Sequence, residues 1–290
     1  MSELLKTVRG RLRPDAADAS VEEISVGERA VLVELRVGGQ ETAGLAHLPP
    51  GPPPEPADRS VESLLSGVTA EVDGEAAPVT RTTARADRAL GIAALNALSA
   101  PHIEWRRGDP MALLDDGVER ITTVGLFTPA FRKFEDVAVR VIERERIDEA
   151  PDPAGVRVRT FTPGETAEAM TDAEVVFVTG SAFVYGGVET YLEAAPASAT
   201  VVVIGATASF LPNPLFAAGV DVVAGAAVTD AAGVRAALGA GACGTDLHDA
   251  GLQKVYVARE TTSGLQLGEC SPDSRHDSSG GADTSTANHL

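Results

Sequence analysis

Apolar and polar positions follow one rhythm before residue 109 and another after it. In the first stretch, Leu4–Leu12 has the spacing of a short amphipathic helix. Val21–Val26 and Ala30–Val37 alternate apolar and polar residues around Gly27-Glu28, which predicts a β-hairpin, and Gly44–Leu48 adds a third strand. The run Pro49–Pro56 holds six prolines in eight residues, so it can be neither helix nor interior strand and reads as a stiff surface connector. Ser60 caps a predicted helix over Ser60–Ser66. Arg85–Leu98 is the strongest helical segment: Leu90, Ala94, Leu95 and Leu98 form its apolar stripe, and its other alanines permit close packing.

Beyond Asp109 the apolar runs shorten and become continuous. Strands are predicted over Ile121–Phe127 and Val137–Ile142, with a helix from Pro129 to Phe134 between them. Pro151-Asp152-Pro153 marks a loop and Glu165–Met170 a helix. Then one pattern recurs three times: Val175–Val178 runs into Thr179-Gly180-Ser181, Val201–Ile204 into Gly205-Ala206-Thr207-Ala208-Ser209, and Val220–Val223 through Gly225 into Thr229-Asp230. A helix follows each, the last over Asp230–Leu238, and Lys254–Ala258 supplies a final strand. Short buried strands alternating with helices predict a parallel sheet covered on both faces. The expected class is therefore α/β, with a doubly wound sheet over residues 109–260 preceded by a small α+β domain over 1–108. From Thr261 the chain is rich in Ser, Gly, Asp and Thr, which predicts a disordered tail over 261–290.

Composition narrows the function. The chain carries 42 acidic and 24 basic residues, a net charge of −18, and only Lys6, Lys133 and Lys254 are lysines. Dense acid with scarce lysine matches the protein style of salt-loving archaea, in which an acidic surface stays hydrated while salt screens its self-repulsion. Such a surface argues against nucleic acid, which needs clustered cations. No apolar run has the length of a membrane span and Met1–Arg13 has no signal-peptide core, so a cytoplasmic protein is expected. Cys243 and Cys270 are too few for a disulfide framework.

Ligands of such sheets bind beyond the carboxyl ends of the strands. Thr179-Gly180-Ser181, followed by Gly186-Gly187, is a candidate there, because glycine admits a close approach, hydroxyls donate and helix starts offer N–H groups to an anion. Gly205 and Thr207 form a second such loop. Ordinary tight turns would leave the same pattern. The first turn, Gly125-Leu126-Phe127-Thr128-Pro129, lacks the G-x-G-x-x-G dinucleotide fingerprint, and no Walker A sequence is present. Glu143 follows the next strand, where nucleotide sites place an acid on ribose hydroxyls; a solvated glutamate leaves the same trace. His47, His102, Cys243, His248 and several carboxylates exist without Cys-x-x-Cys or His-Glu-x-x-His spacing. Cys243 and His248 could converge on a soft metal, or be a buried thiol and a surface imidazole.

The order of these pieces resembles the heavy-metal chelation family. The matching positions are Val124-Gly125-Leu126-Phe127, Val141-Ile142-Glu143-Arg144, Val175 through Ser181, Gly205-Ala206-Thr207, Pro214 through Gly225 and Val228-Thr229-Asp230, with Gly44-Leu45-Ala46 and Leu95-Asn96-Ala97-Leu98 earlier. The resemblance implies an N-terminal domain like that of enolase, a C-terminal Rossmann-like domain, and a pocket between them. It implies a metal role without an assigned reaction. Carried to this chain, the pocket would gather Asn96 with the Thr179 and Thr207 loops, while Tyr185 stands where the family more often has Asn. Asn96 equally suits a structural hydrogen bond to a loop, because a packed amide needs a partner.

The leading expectation is a small anionic or chelating ligand, or a metal complex of one, held by Asn96, Gly125, Thr179, Gly180, Ser181, Gly205 and Thr207, with Asp230 and Glu143 orienting hydroxyls or a cation. One rival is an enzyme with an adenosyl or nicotinamide cofactor, requiring an open groove from Gly125 to Glu143. Another is a scaffold without ligand, requiring no cleft. A homodimer is the default assembly.

Overall fold

The computed structural model describes residues 2–57, 59–70, 78–145, 147, 151–259 and 262–267. Its first sheet is an antiparallel meander of β1 (Ala19–Val26), β2 (Ala30–Val37) and β3 (Gln40–His47). Alternation along β2 sends Val31, Val33 and Leu35 to one face and Ala30 and Leu32 to the other, and both faces are buried. The first face packs on the helix Pro78–Ser99. The second meets Val234 and Leu238 of the helix Ala231–Gly239, far along the chain. Gly44 of β3 sits under the long helix, where a Cβ would lie 2.2 Å from the Ala93 carbonyl oxygen and 2.4 Å from the Ala97 nitrogen. Only glycine lets strand and helix approach this closely. Arg88 of that helix is fully buried and donates to the carbonyls of Ala70 and Phe183.

The second sheet has eight strands in the order β4-β11-β10-β9-β8-β5-β6-β7: β4 (Arg106–Arg107), β5 (Arg120–Val124), β6 (Val137–Ile142), β7 (Val156–Phe161), β8 (Val175–Thr179), β9 (Thr200–Ile204), β10 (Val222–Val228) and β11 (Leu252–Ala258). Strands β5 to β10 are mutually parallel, and β11 and β4 extend the edge antiparallel. Counted from β5, the six parallel strands lie in the order 3-2-1-4-5-6, the doubly wound nucleotide-binding order. Val176 and Val178 face one core and Val175 and Phe177 the other, which is why β8 is apolar at every position. The order reverses between β5 and β8, so a crevice is expected at their carboxyl ends.

Several sequence-level boundaries shift. The β5 strand ends at Val124 and a turn of helix occupies Thr128–Phe131. The strand β7 was not expected: it is an edge strand, and its exposed Arg157 and Arg159 give it a loop-like sequence. The β10 strand continues through Gly225 to Val228, because β11 pairs with it along that whole length, so Gly225 is not a turn residue. The expected disordered tail needs a correction at its start. Residues 262–267 are packed: Leu265 is buried and bridges Leu114, Gly264 accepts from the Asp115 amide, and Thr200 donates to the Ser263 carbonyl. The rest of that tail, with Cys270, His276 and His289, lies outside the described residues. No described helix is long and apolar enough to cross a membrane.

Candidate functional site

Strand register brings the glycine turns together. The last β5–β8 pair is Val124 with Val178, which sets Gly125 beside Thr179; the last β8–β9 pair is Thr179 with Ile204, which sets Gly180 beside Gly205. Gly125 has φ +98°, and a Cβ there would sit 3.0 Å from the Thr179 methyl, so the switch point closes only around glycine.

A cleft opens over this edge in two adjoining halves that share part of their lining. One, of about 580 Å³, is lined by Lys133, Lys254, Asp109, His248, Gly205 and Thr207 among others. The other, of about 720 Å³, is lined by Arg85, Arg144, Glu143, Gly125, Tyr185 and Tyr191, with Pro49 and Pro50 on its wall. Arg29, His47, Leu126, Phe127, Thr179 and Ser181 line both. The cleft thus draws on the antiparallel sheet, the proline run and the parallel sheet together.

His47 joins these parts. Its amide donates to the Thr207 hydroxyl (2.9 Å), and its Nε2 lies 3.0 Å from the Tyr185 hydroxyl. Burial, with Arg29 and Arg144 nearby, lowers its pKa to about 4, so the imidazole is neutral at ordinary pH. Tyr185 in turn carries the Arg144 guanidinium over its ring, 3.1 Å from the centroid, with Arg85 at 5.3 Å. Burial raises the Tyr191 hydroxyl against the opposing pull of Arg144. In the other half, Lys133 and Lys254 both bond Asp109 Oδ2, at 2.6 and 2.7 Å. Burial pushes that carboxyl up, and the two lysine bonds more than offset it, holding it below its ordinary value.

The expected site residues fall into three groups. Thr179, Ser181, Gly205, Thr207 and Gly125 line the cleft. The Thr179 and Ser181 hydroxyls are 3.1 Å apart, and the Thr207 hydroxyl accepts from His47, leaving its own proton to donate. The amides of Gly180 and Gly205 extend the sheet ladder to the carbonyls of Ile204 and Ala224, so they do not offer an anion the N–H groups that the glycine pattern suggested.

Asn96 is a clasp: its buried Nδ2 donates to the carbonyls of Leu45, Ala206 and Thr207, fixing the second loop against β3. Glu143 lines the cleft, but one carboxylate oxygen accepts from the Leu126 amide and the other from the Arg144 amide. It shapes the turn after Gly125. Asp230 caps the helix Ala231–Gly239 by accepting from the Gly233 amide and does not line the cleft.

Of the metal candidates, His248 lines the cleft with Nδ1 on the Leu252 carbonyl (2.6 Å), and Cys243 is a partly buried free thiol outside its lining. His102 pairs with Asp15 at the surface. Among the described residues no three His, Cys, Asp or Glu side chains converge as a metal site. The donors do not fit direct coordination of a heavy metal: His47 meets Tyr185, and Asp109 is held by two ammonium groups.

Sequence reasoning named His47 only as an unplaced metal candidate and gave no role to Arg29, Arg85, Arg144, Asp109, Lys133 or Lys254. A signal existed for the lysines: two of the three in the chain meet at one carboxylate here.

Fold and cleft define a two-part α/β protein, with a three-stranded antiparallel sheet seated on a sheet in dinucleotide-binding order and a crevice at its switch point. The chain belongs to the DUF364 family, described as "Putative heavy-metal chelation", whose sequence profile matches residues 109–257. A DUF364 protein of unknown function from Pyrococcus horikoshii has the same fold, with a TM-score of 0.71 at 20% identity over 88% of this chain and 100% of that one. Another, from Desulfitobacterium hafniense, gives a TM-score of 0.62 at 15% identity over 88% of this chain and 98% of that one. No curated protein matches the chain.

Proposed function

We propose that the protein binds a small anionic or chelating molecule in the cleft over the switch point, including one that carries its own metal ion. The observation that supports this best is the cleft's charge: in a protein of net charge −18, its lining holds five cations against three carboxylates. Thr179, Ser181 and Thr207 would donate hydroxyl hydrogen bonds, and neutral His47 would complete the polar wall. A metal would arrive already complexed, because the donors His47, Asp109 and Glu143 on the cleft are engaged with neighbouring protein groups. The same proposal takes residues 1–108 and 109–260 as the two lobes, and the acidic exterior as an adaptation to salt in a cytoplasmic protein.

Native mass spectrometry with elemental analysis, on protein purified in strong salt without chelator, tests this. A stoichiometric acidic adduct, lost in the Thr179→Val/Thr207→Val variant, is expected. An apo mass that stays unchanged after incubation with inorganic phosphate and with citrate would defeat it.

A second reading keeps the rival alive, because an open groove does run from Gly125 to Glu143 under a sheet of dinucleotide-binding order. Against it, both Glu143 carboxylate oxygens already accept backbone amides. An adenosyl-sized adduct in the same spectrum would favour this reading. A ligand-free scaffold has no use for a cleft of this charge.

A further inference from the structure

We infer that the cleft takes an elongated molecule with an acidic group at each end, one end on Lys133 and Lys254 and the other on Arg85 and Arg144. This rests on the anion-binding reading above and narrows it to a class of ligand.

The two cationic clusters belong to opposite halves of one cleft. Lys133 and Lys254 line only the first half, Arg85 and Arg144 only the second. Between them lie the shared residues Arg29, His47, Thr179 and Ser181, with Leu126 and Phe127 as apolar contacts. Each end has cation to spare. Asp109 offers one negative charge to two ammonium groups, so the lysine end stays positive. Among the described residues, neither Arg85 nor Arg144 forms an ion pair, and the buried Arg85 Nε has no hydrogen-bond partner.

The residue types differ between the ends as their chemistry would require. The Arg144 guanidinium lies on the Tyr185 ring, which orients a planar fork suited to carboxylate or phosphate. The lysine end presents compact point charges steered by Asp109. In a chain that uses arginine for nearly all its cations, two of its three lysines stand together at this spot. The middle offers hydroxyls and a neutral imidazole, which match hydroxyl or carbonyl groups on the body of the ligand.

The test is calorimetric titration of the full chain at fixed ionic strength. The probes are hexanoate, inorganic phosphate, linear dicarboxylates from succinate to suberate, and phosphonocarboxylates of the same lengths. We expect the best dicarboxylate or phosphonocarboxylate to bind about tenfold or more tighter than hexanoate, with a clear optimum in length. A phosphonocarboxylate optimum would assign one end to a phosphate, a dicarboxylate optimum both ends to carboxylates. Arg85→Met/Arg144→Met should return affinity to the hexanoate level. So should Lys133→Met/Lys254→Met combined with Asp109→Asn, which avoids stranding a carboxylate without partners. Two-ended probes that bind no tighter than hexanoate, or equally at every length, would overturn the inference and leave the anion reading standing. Binding of none of the probes would overturn both.

Discussion

Two grooves flank the seam where β3 and Asn96 meet the Ala206-Thr207 loop, and they treat charge in opposite ways. On one side, a groove of about 650 Å³ is lined by Glu22, Glu23, Glu34, Glu41 and Arg235. Its one lining cation, Arg235, bonds Glu23 and Glu34, and Arg36 beside it bonds the lining Glu22 and Glu41. On the other side, the cleft keeps Arg29, Arg85 and Arg144 without ion pairs among the described residues. The acidic groove matches either half of the cleft in size, and acidic surface is what the composition predicts everywhere. What marks a binding site is cation left uncompensated in a protein that has acid in excess, since an incoming anion then replaces no internal partner.

The seam itself is the place to break this contrast most severely. Gly44→Ala would put a methyl group 2.2 Å from the Ala93 carbonyl oxygen, backbone that cannot rotate away. Strand and helix must separate, and we expect a loss of about 3 kcal/mol or more in urea unfolding. Both grooves should lose their shape together. A variant of normal stability would mean that the helix and β3 are not locked at this point.

Asn96→Ala is the next largest. Its Nδ2 satisfies three carbonyls from two separate segments, and removing it strands them in a buried place. About 2 kcal/mol of destabilisation is expected, with weaker anion binding because the Thr207 loop loosens. Unchanged binding at reduced stability would uncouple the seam from the cleft.

Much of the scaffold was legible because strand and helix periods are local. The continuous apolar runs of β8 and β9 announced a parallel sheet, and the Ser60 cap stands where the sequence placed it. Of the site, only the hydroxyl and glycine turns could be read, since they sit at the ends of those runs. His47, Arg85 and Arg144 were not legible, because they come from β3, a helix and the turn after β6 and meet only through tertiary packing. Glu143 and Asp230 show the opposite error: each is an acid at a strand end, but each is consumed by local backbone amides. Sequence position alone cannot distinguish a capping carboxylate from one that faces a ligand.

His47 sharpens the contrast through pH. Its pKa of about 4 lies below the ordinary 6.5, so between those values the unfolded chain binds a proton that the folded chain refuses. Stability contributed by the neutral imidazole is complete above about pH 6.5 and is lost as pH falls toward 4, on the order of 3 kcal/mol in all. His47→Gln should flatten the pH dependence of the unfolding free energy across that window. An unchanged slope would mean that the imidazole is not shielded by burial and by Arg29 and Arg144 as the geometry requires.

The smallest effect is the most discriminating. Arg36 and Arg144 carry the same charge, one paired with two glutamates on the acidic side, the other unpaired on Tyr185. If binding responded to the protein's overall field, deleting either would weaken anion affinity alike, since each changes the net charge equally. If uncompensated charge at the cleft decides, Arg36→Ala should leave phosphate affinity within about twofold, because exposed, salt-screened pairs carry little. Arg144→Met should then weaken it clearly more. Titrations at two salt concentrations separate the cases: a field effect shrinks for both variants as salt rises, whereas a local deficit persists for Arg144→Met alone.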